Sequence, residues 1–466
     1  MFRTLILFSL LSYVCAYKIL VVFPYPGKSH TILGNGYVRH LLKAGHEVTY
    51  ITAMPIKNPH KNLRQIDVSS NIELFTFLED LDLKKQFNKE IDLKDEIAIF
   101  GFVRNTANNT LFNDNVQKFI HDTEEHFDAV IVEWLYTELY CGFATVFDSP
   151  LIWSSSMDPH SMVLSLIDED PNPAYTSNHL SQEDPPFNFL QRVKELWTLI
   201  HLKILRWRLY DIDSEIFTKA FSSAAAKRGR TLPSLYEAQH TGVLMLGNSH
   251  VSSGKSLRLP QNYKPIAGYH MDDEVQPLPE VIPVATVNHI LVTDFTNDFL
   301  NSISAHQNCI IFITHGGLLS TTEALHFGVP LIGIPLFADQ HVNINRAVNK
   351  GFGRHVPLSS NIVEDLKKAI DEVLTNPIYR EKVRELSVVH HDRPISPGAE
   401  LVHWVEHVVR THGAPHLRSP AFDVPFYQKF YLDLAALIIA IIVVVKIILT
   451  KLLKLLKKSD LKKKLN

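Results

Sequence analysis

An α/β architecture, with two doubly wound domains and one C-terminal membrane-spanning helix, is what this 466-residue sequence predicts. Three observations carry the prediction. A strand–helix–strand unit opens at Lys18, a second strand–turn–helix–strand run fills residues 310–334, and Phe430–Leu449 is apolar and long enough to cross a bilayer. At about 150 residues per domain the length accommodates two or three domains.

Taken in order, Met1–Ala16 has the parts of a secretory signal peptide: Arg3, the apolar run Leu5–Leu11, and the small-residue site Val14-Cys15-Ala16. Lys18–Phe23 (KILVVF) is a β-branched apolar run suited to a buried parallel strand. A turn with Pro24, Pro26 and Gly27 follows, then a helix with Leu33, Tyr37, Leu41 and Leu42 on one face, stopped by Gly45. Glu47–Thr52 (EVTYIT) completes the unit. Gly34 and Gly36 are not a dinucleotide fingerprint, because a third glycine is missing and the pair sits within the helix. Ala129–Val132, Leu151–Trp153 and Val243–Leu246 read as further buried strands.

Residues 171–186, rich in Pro, Asp and Ser, predict a surface loop. Arg192–Tyr210 mixes basic residues with Trp197 and Trp207 among leucines; a membrane-surface or pocket-lining role competes with an amphipathic core helix, and the core helix is preferred. Residues 259–277 read as a linker. Beyond it, Ile310–Thr314 is a strand, Gly316-Gly317 a turn, Ser320–Phe327 a helix and Val329–Ile334 the next strand.

The roughly 20 residues of Phe430–Leu449 span about 30 Å as a helix. Asp433 and Lys446 lie near its ends, where side chains snorkel, and Tyr427 and Tyr431 suit the interface. The lysine-rich residues 450–466 place the tail in the cytosol and residues 17–429 in the lumen. The ending Lys463-Lys464-Leu465-Asn466 resembles the dilysine retrieval signal of endoplasmic reticulum membrane proteins, and Asn108-Asn109-Thr110 is a glycosylation acceptor for a luminal chain.

Composition excludes other classes. The chain is 46% hydrophobic and 20% charged, which rules out a disordered or collagen-like protein. Its 46 basic and 49 acidic residues become 37 and 48 once Arg3, the eight lysines of residues 446–466 and Asp460 are set aside. A body with a net charge of −11 and no basic stripe argues against nucleic acid as a partner. Cys141 and Cys309, left after the leader's Cys15, allow at most one bridge.

Chemistry concentrates in Phe312–Ala347 (FITHGGLLSTTEALHFGVPLIGIPLFADQHVNINRA). A strand runs into a glycine corner that opens a helix, whose first amides and partial positive charge suit an anion. Gly316 and Gly317 let a phosphate approach the backbone, while His315 and Ser320 add donors. Asp339 and Gln340 place a carboxylate beside an amide, a pair suited to sugar hydroxyls. The bland alternative, a tight turn, accounts for His-Gly-Gly alone but not for the whole run.

That run closely resembles the signature of the UDP-glycosyltransferase family, of the glucuronosyltransferase type. The likeness extends through Asp392-Arg393-Pro394-x-Ser396-Pro397 and His412-Gly413-Ala414 to the anchor and lysine tail. It also includes Phe23-Pro24-x-Pro26-x-x-Ser29-His30, Gly45–Thr49, Trp153–Ser156 and Asp272–Glu280. The resemblance implies a GT-B-type pair of Rossmann-like domains. Acceptor binding falls to residues 17–258 and UDP-sugar binding to a shortened domain at residues 259–425, ahead of the transmembrane helix at 430–449.

His30 matches the family's general base on the acceptor hydroxyl, a task an imidazole suits near neutral pH. Glu133, after Phe127–Val132, stands where the family has an aspartate that steadies the imidazolium, and is one methylene longer. His315, Gly316, Gly317 and Ser320 match donor phosphate contacts, Glu323 the ribose ligand, and Asp339 and Gln340 the sugar-binding pair. The implied reaction is a direct, inverting displacement that moves a hexosyl group to hydroxyls of small lipophilic acceptors. UDP-sugar is the co-substrate, with no cofactor and no metal.

The chain departs from the family between Glu280 and Ile310, where the resemblance calls for at least two more βα units and a Trp-x-Pro-Gln element for uracil. No such element occurs, so the second sheet is expected to lack strands and donor binding to be weak. A second hypothesis follows: a non-catalytic, membrane-anchored member that acts as a homo- or hetero-oligomer partner.

Overall fold

A computed structural model gives the structure of the chain and describes residues 16–75, 96–179, 181, 183, 185–271, 289–292, 309–336 and 339–463. The signal-peptide residues 1–15, the Asp272–Glu280 motif and the final Lys464-Leu465-Asn466 lie outside the described residues. The chain divides into two units, one running to Arg418 and the other starting at Ser419.

In the first unit, the amino-terminal sheet holds seven parallel strands among the described residues. They are β1 (Lys18–Phe23), β2 (Glu47–Thr52), β3 (Leu63–Asp67), β4 (Ala129–Trp134), β5 (Leu151–Ser155), β6 (Leu244–Gly247) and β7 (Tyr263–Pro265), in the order β3-β2-β1-β4-β5-β6-β7. The apolar run at Lys18 is central because both of its faces must be covered. Leu20 and Val22 enter one core with Val130, Val132 and Trp153; Ile19 and Val21 enter the other with Tyr37, Leu41 and Ile131.

Two sequence readings need correction here. Residues 259–277 are not simply a linker, because Tyr263–Pro265 forms the seventh strand, paired to β6. The helix around Arg192–Tyr210 runs from Phe189 to Lys227, and only part of it is core. Leu202, Leu205, Phe217 and Phe221 are buried, but Trp197 and Trp207 point outward at 65% and 75% exposure. The preferred core-helix reading therefore holds for these four residues and not for the tryptophans.

The second sheet, among the described residues, has four parallel strands in the order β11-β10-β9-β8. These are β8 (His289–Val292), β9 (Cys309–Thr314), β10 (Leu331–Gly333) and β11 (Gly353–His355). β8 falls within the segment that departs from the family pattern and pairs with β9 through an irregular register. Cys141 and Cys309 are free and buried, so the single bridge left open by the sequence is not made.

The helix Pro397–Arg410 returns to the first sheet. Its Leu401, Val405 and Val408 are fully buried with Ile19, Val21 and Tyr37. Arg39 Nη2 donates to the carbonyls of Tyr269, His270 and Met271 at 3.0–3.2 Å, and His40 Nε2 lies 2.8 Å from the Tyr269 carbonyl. Through these contacts residues 266–271 and the returning helix are fixed on the helix Lys28–Lys43.

The second unit contains the helix Leu432–Lys463, in which Leu432–Leu455 is long and apolar enough to cross a membrane. That span runs further than the Phe430–Leu449 read from the sequence.

Candidate active site

Strand order explains the first half of the site. β1 and β4 are neighbours, and from them the sheet is wound in opposite directions, so a crevice opens beyond their carboxyl ends. Val22 pairs with Val132, so the residues that follow each are brought to the same place. Beyond β1, the proline turn feeds the helix Lys28–Lys43 and sets His30 in its first turn. Beyond Val132 comes Glu133, which is still within β4 rather than after it.

His30 Nδ1 is hydrogen-bonded to Glu133 Oε1. A carboxylate only accepts, so Nδ1 carries the proton and Nε2 keeps a lone pair. Glu133 is 2% exposed and His30 17%, which leaves the ring as the reachable member. Tyr25 packs edge-on against His30 at 4.6 Å; burial, then the Glu133 charge, pushes its hydroxyl far up.

The second half lies where β9 and β10 end in register, Thr314 beside Gly333. His315, Gly316 and Gly317 turn the chain from β9 into the helix Leu318–Phe327. Gly316 has φ +85° and donates its N–H to Thr314 Oγ1 at 3.2 Å. A Cβ there would sit 2.3 Å from Ile344 Cγ1, so only glycine fits. Gly317 is the N-cap and gives no side-chain cap, which leaves the first amides to a ligand. Burial lowers His315 from the usual imidazole range. Ser320 is buried in the first turn.

Glu323 is buried on that helix, and its Oε2 has no hydrogen-bond partner. Burial pushes its carboxyl up to about 8. His270 Nε2 lies 3.8 Å from Glu323 Oε1 and is driven down to about 3 by burial, with Arg39 and His326 adding to the effect. At neutral pH the two therefore meet as neutral groups.

Asp339 and Gln340 begin the helix Gln340–Asn349. Asn343 Nδ2 donates to Asp339 Oδ2 at 2.9 Å and to the Gly316 carbonyl at 3.1 Å, joining the sugar-type carboxylate to the phosphate-type corner. Gln340 Oε1 accepts from the Leu336 amide at 2.7 Å. Burial, opposed by Asn343 and aided by the Asp158 charge, raises Asp339.

A cleft opens beside Asp339 and the start of the helix Leu318–Phe327. Met157, Asp158, His160 and His179 line it from the first domain, and Leu318, Asp339, Asn343 and Arg346 from the second. An ion pair between Arg346 and Asp158 crosses it. The sequence reading missed Asp158, His160, His179, Asn343 and Arg346. Asn343 and Arg346 lie inside the signature run, a signal that was available; no local pattern marked the other three. The loop 171–186 is also corrected in part, since Thr176, Ser177, His179 and Ser181 are buried. Asn108 is exposed on the helix Glu96–Leu111, while Thr110 of its acceptor triplet is buried, with its hydroxyl donating to the Thr106 carbonyl and accepting from Asn71. Among the described residues no three His, Cys, Asp or Glu gather as metal ligands.

Two parallel-sheet domains with a cleft beyond the strand ends define the GT-B glycosyltransferase class. The calicheamicin glycosyltransferase CalG4 shares the fold at a TM-score of 0.54 and 16% identity, covering 86% of this chain and 100% of that one. The family model for UDP-glucoronosyl and UDP-glucosyl transferase matches residues 296–465. UDP-glycosyltransferase UGT5 of Dactylopius coccus is 29% identical over 504 residues, spanning 95% of this chain and 92% of its own. That alignment is longer than the present chain, so the relative has residues without counterparts here. Human UDP-glucuronosyltransferase 2B15 is 40% identical over 169 residues, 35% of this chain and 32% of its own. These likenesses support a member of the UDP-glycosyltransferase family, with the family's domain matched over residues 296–465.

Proposed function

We propose that this chain transfers a hexosyl group, glucose or glucuronate, from a UDP-sugar to the hydroxyl of a small lipophilic acceptor, with inversion. The observation that carries the reading is the buried Glu133 holding His30 through Nδ1 at the sheet's switch point. His30 Nε2 then takes the acceptor proton as its oxygen bonds to the anomeric carbon. The bond from that carbon to the diphosphate oxygen breaks, and its electron pair leaves with UDP. Charge grows on the imidazolium and on the diphosphate, the first facing Glu133 and the second the amides after Gly317. Glu323 takes ribose hydroxyls, and Asp339 with Gln340 takes those of the sugar.

In the same reading the body works in the lumen of the endoplasmic reticulum, tethered by Leu432–Leu455, where lipophilic acceptors partition. The test is glycoside formation by the full chain in detergent, with a phenolic acceptor and each UDP-sugar; His30→Ala should abolish it. One observation favours a second reading. The sequence has no Trp-x-Pro-Gln element, so a chain unable to hold uracil would serve as a partner of an intact relative. That reading predicts no transfer by either version, and an altered rate when wild type is co-expressed with such a relative.

A further inference from the structure

Two histidines in the cleft have no use in the reaction as derived. His160 and His179 are 3% and 7% exposed, their rings are 5.3 Å apart, and all four ring nitrogens lack a hydrogen-bond partner. Their flanks are aromatic: Trp134 lies 5.4 Å from His160 and Tyr136 5.4 Å from His179. Burial pushes His179 down to about 4 and holds His160 well below the usual imidazole range, with the neighbouring ring and Arg206 adding to the second. Each ring is therefore neutral near pH 7 and offers one donor and one acceptor. Buried nitrogens without partners cost stability, and such groups collect where a ligand completes them.

The ligand follows from what shares the cleft. Asp339 lies in the opposite wall, and Arg346, the one cation among the described residues lining the cleft, is already paired to Asp158. A ring of neutral hydroxyls, each able to donate and accept, matches two neutral imidazoles facing a carboxylate. We infer that His160 and His179 form the second wall of the hexose subsite and bind hydroxyls of the transferred sugar from the side opposite Asp339. This inference rests on the proposed transferase reading.

The experiment compares UDP with UDP-glucose on the full chain in detergent, by calorimetric or NMR titration. His160→Phe and His179→Phe keep ring shape and remove the nitrogens. Each should weaken UDP-glucose about five- to tenfold, the loss expected for one hydrogen bond, and leave UDP unchanged. The unliganded variants should melt no lower than wild type, because an apolar ring replaces unpaired nitrogens. His160→Gln and His179→Gln restore a donor and an acceptor and should recover part of the affinity. If UDP binds and both phenylalanine variants keep the wild-type preference for UDP-glucose, the inference is overturned while the transferase reading survives. Equal weakening of UDP and UDP-glucose also overturns it. Absence of UDP binding by wild type removes the transferase reading itself, and this inference with it.

Discussion

Glu133→Gln isolates the charge of the His30–Glu133 pair. The amide oxygen still accepts from His30 Nδ1, so ring orientation and the ground-state hydrogen bond survive. What disappears is the negative charge opposite an imidazolium that exists only as the acceptor proton is taken. At 2% exposure Glu133 is little screened by water, so the full difference between a charged and a neutral acceptor applies. Hydrogen bonds to charged groups contribute about 1.5–3 kcal/mol against about 1 for neutral ones, a loss of about 0.5–2 kcal/mol. That lowers kcat by about 2- to 30-fold, with KM for the UDP-sugar unchanged. The assay is UDP release and glycoside formation by the detergent-solubilised chain, with the melting temperature recorded beside it. A kcat within twofold of wild type would refute the assignment, as would a loss that appears wholly in KM.

Other consequences follow from the same geometry. Gly316→Ala puts a Cβ at φ +85° and 2.3 Å from Ile344 Cγ1, so about 2–5 kcal/mol of stability should vanish, read as a lower denaturant midpoint, along with UDP binding. Glu323, held near 8 by burial, must ionise as ribose hydroxyls solvate it; UDP affinity should climb with pH and level off above about 8, and Glu323→Gln should flatten that slope in calorimetry across pH. The same raised carboxyl predicts that stability from this group is full below about pH 4.5, where the unfolded carboxyl is also protonated, and is lost as pH rises to about 8. Leu401→Ala, fully buried against Ile19 and Val21, should cost about 2–5 kcal/mol in chemical unfolding without touching the cleft.

Much of this site is legible in the sequence alone. The apolar runs at Lys18, Ala129 and Ile310 announced buried parallel strands, because such strands have no polar face to disguise them. His30 and Glu133 are marked by the family resemblance of their flanking motifs, and the register of β1 against β4 brings them together. The glycine corner was legible because Gly316 stands where a side chain cannot.

What escaped depends on contacts between distant segments. His160 and His179 lie in connections with no periodicity, so nothing local distinguishes a buried imidazole from a solvated one. Tyr263–Pro265 is too short to read as a strand until β6 is beside it. Pro397–Arg410 reads as an ordinary amphipathic helix, and nothing in its spacing says that it covers the first sheet.

The account rests on sugar transfer with His30 as the base. The most direct measurement incubates wild-type and His30→Ala chains with an α-linked UDP-sugar and a phenol, then resolves the anomers of any glycoside by NMR. The account predicts a β-glycoside from wild type and a rate at least about a hundredfold lower from His30→Ala. An α-glycoside, no glycoside from wild type, or equal rates from the two chains would contradict it.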